Sequence, residues 1–182
     1  GMVESADICL SLADYTGIIE HVPGDMTITV KAGTPFKEVQ RYLAGFNQMV
    51  AMDAYAGDQS AIGGIVAAND SGPKRLGYGS ARDSVIGMRL VYPDGKVIRA
   101  GGKVVKNVAG YDMNKLFIGS MGTLAVMTEI SLKLRPIAKY ASTAIIQIPD
   151  PAFEAMKQFA VRLLDSTVEP VAFEVLSPSL AL

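Results

Sequence analysis

Apolar and polar residues alternate most cleanly over residues 123–135. Leu124, Val126, Thr128, Ile130, Leu132 and Leu134 fall on one side, and Glu129, Ser131, Lys133 and Arg135 on the other. A period of two predicts a long, half-buried strand, which Pro136 ends. Shorter β-rich runs at 8–12, 18–22 and 27–30 predict a strand followed by a hairpin, with Pro23-Gly24-Asp25 as its turn. A further short strand is expected at 49–52. Residues 85–92 and 96–100 flank Pro93-Asp94-Gly95, a hairpin signal in which proline presets φ and glycine accepts a positive φ. Ile86, Met88, Leu90 and Tyr92 then line one face.

The period lengthens to that of a helix at Phe36, Val39, Leu43 and Phe46, with Thr34 as the expected cap, Pro35 in the first position and Gly45 near the end. A short helix over 112–117 is broken by Gly119-Ser120-Met121-Gly122. After Pro136 the pattern restarts with a strand at 143–148 and a helix that Asp150 caps and Pro151 opens. Phe153, Met156, Phe159, Ala160, Leu163 and Leu164 form the apolar stripe of that helix, and a strand at 168–176 follows. A strand–helix–strand piece of this size cannot bury both faces of its own sheet. Residues 3–137 are therefore expected to form one domain and 138–182 the beginning of a second.

Between these patterned stretches lies a glycine-rich one, 57–83, whose middle at 62–68 is apolar and small enough to pack as a short helix against a flat surface. Glycine removes Cβ where a backbone turns sharply or comes close to another surface. A helix beginning near Ser60 and Gly63 would aim unpaired N–H groups outward, an arrangement that suits a phosphate. The stretch reads as a cofactor cradle. It lacks the third glycine of a dinucleotide fingerprint after Gly77-Tyr78-Gly79, and no phosphate-cradling glycine–lysine–serine/threonine loop occurs.

Composition narrows the classes. Apolar residues make up 49% of the 182 and charged residues 19%, as in a globular chain. Lysine and arginine total 17 against 18 acids, so no field gathers nucleic acid or coats an anionic membrane. No apolar run is long enough to span a bilayer, and a soluble cytoplasmic protein without direct membrane insertion is expected. Gly1-Met2 reads as an expression remnant. Cys9, the single cysteine, is flanked by Ile8 and Leu10 and is expected to be a buried thiol; His21, the single histidine, is expected at a surface or strand edge. No metal site is expected. Met49, Met52 and Met88 read as core filler. Lys74, Arg75 and Arg82 read as solvated or paired with a neighbour such as Asp83, with a ligand role the minority reading.

Five motifs occur in order: residues 61–73, Tyr78-Gly79 with Ala81-Arg82-Asp83, Tyr92-Pro93-Asp94-Gly95, the stretch 101–112, and 116–124. Together they resemble the FAD-linked oxidases of the vanillyl-alcohol oxidase type. Within that family, Ser71-Gly72-Pro73-Lys74-Arg75 and the stretch 106–112 are similar to the FAD-binding subunits of glycolate oxidase. The resemblance runs from about residue 10 to 135. It implies an α+β, PCMH-type FAD-binding domain, a mostly antiparallel sheet flanked by helices, with flavin held between two subdomains. By the same resemblance Ser60, Ala61, Ile62, Gly63, Gly64, Ala67 and Ala68 would face the diphosphate and ribityl chain. The stretch from Ala68 to Gly72, with Asn69 and Ser71, would run past the flavin, Tyr78 and Gly79 would also bind the cofactor, and Gly122 to Val126, with Thr123 and Leu124, would pass backbone close to the isoalloxazine or ribityl end. Ala61, Met121 and Ala125 stand where the family usually has threonine, glutamate and glycine.

The resemblance further implies hydride removal from a 2-hydroxy acid such as glycolate or D-lactate, with a catalytic flavoprotein and an iron–sulfur protein as partner subunits. No catalytic residue in this chain is identified. The family's site starts with a proline-and-glycine-rich pyrophosphate loop on an N-terminal unit, and the sequence begins after that point. Two backbone hydrogen bonds of about 1.5 kcal/mol each would weaken FAD binding by about a hundredfold if lost. The alternative is a non-catalytic, flavin-free partner of a catalytic flavoprotein. The FAD subunits of molybdenum hydroxylases share Ile62-Gly63-Gly64 but lack the 106–112 motif. Within that motif Asn107, Tyr111 and Asp112 are expected to shape the loop.

Overall fold

The computed structural model describes residues 7–55, 59–102, 112–147 and 153–177. Its centre is β6 (Val126–Lys133), held between β2 (Thr27–Lys31) and β4 (Val85–Val91) in a five-stranded antiparallel sheet. The outer strands β1 (Ile18–Val22) and β5 (Val97–Gly101) join β2 and β4 through hairpins at the two predicted turns. In the first, Met26 takes a left-handed conformation with φ of 55°; in the second, Gly95 has φ of 83°.

One face of the sheet is apolar because strand partners carry matching side chains. Ile28 and Val30 of β2, Met88 and Leu90 of β4, and Ile130 and Leu132 of β6 are all buried there. Two helices pack into that core, α1 (Phe36–Ala44) through Phe36, Val39 and Leu43 and α2 (Ile62–Ala68) through Ile62, Ile65 and Val66, and Val50, Met52, Ala81 and Phe117 join the same cluster. Each fully buried side chain of this size contributes about 1.5–3 kcal/mol relative to exposure. The opposite face is polar. Lys31, Glu129, Arg89 and Arg99 lie side by side across four strands, with an Arg89–Glu129 ion pair at 2.7 Å, and the Thr29 and Ser131 hydroxyls meet at 2.8 Å.

The regular alternation expected along the central strand is interrupted. Arg89 faces Glu129 while Leu90 faces Met127, which leaves Thr128 without an opposite residue on β4. Its hydroxyl donates to the Arg89 carbonyl at 3.1 Å, and Met127 turns into the core. One extra residue in a strand reverses the facing of everything before it. A related irregularity lies between Val85 and Gly87, so Ile86 is only half-buried whereas Met88 and Leu90 are in the core.

Other expectations are corrected. Thr34 does not cap α1; its hydroxyl accepts from the Gly17 N–H and donates to the Lys31 carbonyl, and Pro35 occupies the cap position. Phe46 is 46% exposed, because α1 stops at Ala44 and the stripe ends with Leu43. Residues 8–12 join no ladder, and Cys9 is exposed rather than buried. His21 sits at the sheet edge, with Nε2 2.8 Å from the Gln48 Oε1 and its ring edge-on to Tyr42 and Phe46.

Short elements complete the domain. β3 (Gln48–Met49) pairs with β7 (Arg135–Pro136), and α3 (Arg75–Tyr78), α4 (Ala81–Ser84) and α5 (Asn114–Phe117) cross the sheet ends. Beyond residue 137 the helix α6 (Phe153–Leu164) forms, yet none of its residues is buried. The strands expected at 143–148 and 168–176 are not formed over 143–147 and 168–176: a strand needs a backbone partner, and no ladder reaches these segments among the described residues. Residue 148 and the Asp150–Pro151 cap lie outside the described residues.

Candidate functional site

The glycine-rich stretch is sewn to the domain at both ends of α2 by backbone hydrogen bonds. At the start, the Ile62 N–H donates to the Thr34 carbonyl at 2.9 Å, the Gly63 N–H to that of Ala32 at 2.7 Å, and the Phe36 N–H to that of Ser60 at 2.8 Å. At the end, the Gly119 and Met121 N–H groups donate to the Val66 and Ala67 carbonyls, and Asn69 closes the helix with φ of 51°. Two of the first-turn amides expected to greet a phosphate are therefore spent within the protein. What the helix presents instead is a wall of small side chains.

That wall borders an open, largely apolar cavity of about 550 Å³. Ala61, Gly63, Gly64 and Ala67 line it from α2 and its approach, Gly122, Ala125, Val126 and Met127 from the start of β6, Ala32 and Gly33 from the end of β2, and Leu10, Leu12 and Ala13 from the chain leading in. The glycines differ in what they do. A Cβ on Gly63 would lie 2.9 Å from the Ala32 Cβ and carbonyl oxygen, and one on Gly33 would strike the Leu12 carbonyl, so both permit close backbone packing. A Cβ on Gly64 or Gly122 would meet nothing within 4 Å; Gly122 also has φ of 75°.

Six of the residues expected at a flavin thus share one cavity: Ala61, Gly63, Gly64, Ala67, Gly122 and Val126. The others sit elsewhere. Ile62 is fully buried in the core and Ala68 is exposed. Ser60 is half-buried with its carbonyl taken by Phe36. Thr123 and Leu124 are exposed in the turn before β6, where the Thr123 hydroxyl donates to the Ser120 carbonyl at 2.6 Å. Ser71 and Gly72 follow α2 in a loop clamped by two carboxylates: Asp53 accepts from the Lys74 N–H and pairs with its ammonium at 3.3 Å, and Asp70 accepts from the Tyr55 N–H at 2.8 Å. A Cβ on Gly72 would lie 2.7 Å from the Asp53 carboxylate. Asn69 keeps its Oδ1 buried without a partner among the described residues.

Tyr78 and Gly79 belong to another region. Gly79, with φ of 81°, packs on Asp83, whose carboxylate completes a capping box by accepting from the Ser80 N–H at 2.8 Å. That backbone hydrogen bond, aided by the Ser80 hydroxyl and the nearby Lys115 and Arg75 charges, holds the Asp83 carboxyl below the ordinary range despite some burial. Asp83 is thus a cap, and two of the three cations expected beside it have other partners: Lys74 takes Asp53 and the Arg82 guanidinium donates to the Lys115 carbonyl, while Arg75 stays near enough to favour the Asp83 charge. Of the loop expected to be shaped by Asn107, Tyr111 and Asp112, residues 103–111 lie outside the described residues; Asp112 pairs with Lys115 at 3.5 Å.

Ala125 lies within the expected segment 122–126, whereas Leu10, Leu12, Ala13, Ala32, Gly33 and Met127 line the cavity without having been expected there. Gly33 stands two residues after β2 in a turn closed by the Thr34 N–H donating to the Lys31 carbonyl at 3.0 Å, a place where a glycine in the sequence is a signal of close backbone approach. Among the described residues no group of His, Cys, Asp and Glu could hold a metal, and no helix is long and apolar enough to cross a membrane.

A sheet with helices on its core face and a carbon-lined cavity edged by Cβ-free backbone fits a flat, extended cofactor. The family model described as FAD binding domain matches residues 1–101, and the chain belongs to that family; FAD is the cofactor of the domain. Among its relatives, glycolate oxidase subunit GlcE of Escherichia coli K12 is 41% identical over 128 residues, covering 70% of this chain and 37% of that protein. The mitochondrial D-lactate dehydrogenase [cytochrome] of Arabidopsis thaliana is 37% identical over 69% of this chain and 22% of its own. Glycolate oxidase subunit GlcD of Bacillus subtilis 168 is 35% identical over 84% and 33%. The chain therefore spans between about a fifth and two fifths of the length of these relatives. A solved structure of alkyldihydroxyacetonephosphate synthase shares the fold, with a TM-score of 0.61 and 24% identity over 69% of this chain and 22% of that one.

Proposed function

We propose that this chain is the flavin-holding part of an FAD-dependent oxidoreductase acting on a 2-hydroxy acid of the glycolate or D-lactate type. The observation that carries the reading is the open space at the Cα atoms of Gly64 and Gly122, both lining one apolar cavity, in a chain of this family. FAD, when bound, supplies the acceptor for the hydride leaving the substrate's carbinol carbon. The chain's own residues bind and orient: Ala61, Gly63, Gly64 and Ala67 form one wall, Gly122, Ala125 and Val126 the other, and Leu10 and Leu12 shield the cavity from water.

The proposed substrate class rests on the names of the relatives, glycolate oxidase subunits and D-lactate dehydrogenases. None of the residues lining the cavity carries an ionisable side chain. A hydroxyl proton has to go to a base, so the base is supplied from outside these walls. This favours a second reading, a subunit that assists a catalytic flavoprotein and completes no turnover alone. The partners in either case are a second flavoprotein subunit and an iron–sulfur protein. Residues 138–182 are proposed to begin a second domain, supported by the absence of any buried residue on α6.

The test is to incubate the pure chain with excess FAD, desalt it, and read the flavin absorption against protein. The parent is expected to keep a larger share of flavin than Gly64→Leu, which fills the cavity and is expected to lower affinity at least tenfold. Flavin lost equally from both proteins overturns the flavin-holding role. Retention without glycolate or D-lactate turnover in the presence of an artificial acceptor selects the second reading.

A further inference from the structure

At the end of β6 remote from the flavin cavity, a second and smaller hollow of about 150 Å³ is closed by Ala51, Tyr78, Asp83, Ser84, Lys133 and Arg135. The two cavities lie at opposite ends of the strand, Ala125–Met127 against Lys133–Arg135, which at about 3.3 Å per residue sets them some 20 Å apart. Lys133 and Arg135 are exposed residues on the side of the chain opposite Leu132 and Leu134, which are 0% and 1% exposed. The core holds the backbone still while both cations reach the hollow. Neither has an ion-pair partner among the described residues.

The single acid in the wall is tethered. Asp83 accepts from the Ser80 N–H at 2.8 Å and from the Ser80 hydroxyl at 3.1 Å with the same oxygen, so it is held to the α4 cap and not drawn across to the cations. Two cations against one carboxylate leave the lining with one net positive charge. Tyr78 and Ser84 add hydroxyl donors, and Ser84 is only 6% exposed. The volume is about five times the share of one water in the liquid, enough for a few heavy atoms and no more. A guanidinium fork matches the two oxygens of a carboxylate.

We propose that this hollow is a binding site for a small carboxylate monoanion, separate from the flavin cavity and independent of it. Arg135 takes the carboxylate, Lys133 supplies the second charge, and the Tyr78 and Ser84 hydroxyls select for a ligand with polar edges. The experiment titrates the chain without FAD with sodium acetate and sodium lactate at constant ionic strength, set with sodium chloride. Binding is read from the amide resonances of Ser84 and Arg135 and from calorimetry. Saturable binding is expected, weakened at least tenfold in both Arg135→Gln and Lys133→Gln; both side chains are exposed, so circular dichroism and the unfolding midpoint should stay as in the parent. No saturation, or equal shifts in parent and variants, overturns the site. Tighter binding of inorganic phosphate than of either carboxylate overturns the ligand class.

Discussion

A methyl group on residue 63 would sit 2.9 Å from the Ala32 Cβ and carbonyl, whereas one on residue 64 would meet nothing within 4 Å. Substitution at these neighbours should therefore act in opposite directions. Gly63→Ala is expected to destabilise the fold by about 1–3 kcal/mol, through forced separation of α2 from the end of β2. Gly64→Ala is expected to add about 0.5–1 kcal/mol, the usual gain from replacing glycine inside a helix. Urea denaturation of the two variants checks both signs. Asp83 offers a pH-dependent contribution. Its charged form is favoured in the folded state, so the stabilisation is present in full above the ordinary carboxylate range and is lost as pH falls through the lowered value. The gap in unfolding midpoint between the parent and Asp83→Asn should hold from about pH 7 to 5 and shrink as the pH falls below the ordinary carboxylate range. At this scale the sequence announced where glycines matter but not why. Gly63 and Gly64 look alike in a string, and only the approach of Ala32, thirty positions away, separates a packing glycine from one facing a cavity.

Elements were legible where a local pattern was sufficient. Both hairpins, the α1 stripe through Leu43, the short α2 and the long central strand follow from period and turn chemistry, whereas the family resemblance rests on the five motifs and their order. Two things escaped. Thr34 has the chemistry of a cap but spends its hydroxyl on Gly17 and Lys31, because the chain before β1 comes back alongside it. The irregularity at Thr128 depends on register with β4, which no property of residues 123–135 encodes. Thr128→Val should cost about 1 kcal/mol by removing the hydrogen bond to the Arg89 carbonyl. Its clearest mark would be faster amide exchange at Met127 and Leu90, the residues paired beside the irregularity. Unchanged exchange there would mean that packing of Met127 alone holds the strand in place. Two of the amides at the start of α2, those of Ile62 and Gly63, were likewise not legible as taken, because the Thr34 and Ala32 carbonyls that accept from them are some thirty positions away.

For the whole molecule, the buried apolar residues run from Ile28 to Leu134, and α6 adds none. A chain ended after Ile137 should keep its unfolding free energy within about 1 kcal/mol of the parent, since exposed segments far from special contacts contribute little. Among the contacts that would be lost is the Gly77 N–H donating to the Val171 carbonyl at 3.0 Å. A larger loss in chemical denaturation would show that 138–182 packs on the domain in solution. The strand order β1-β2-β6-β4-β5 carries one more implication, for how the protein is made. β2 cannot complete its pairing until β6 has been synthesised, and the Thr29–Ser131 bond joins residues 102 positions apart. At about 5–20 residues per second, the first hairpin leaves the ribosome some 5–20 s before its neighbour. Throughout that interval Ile28 and Val30 have no central strand beside them, so the nascent chain is at its most aggregation-prone just before the last strand of the sheet emerges.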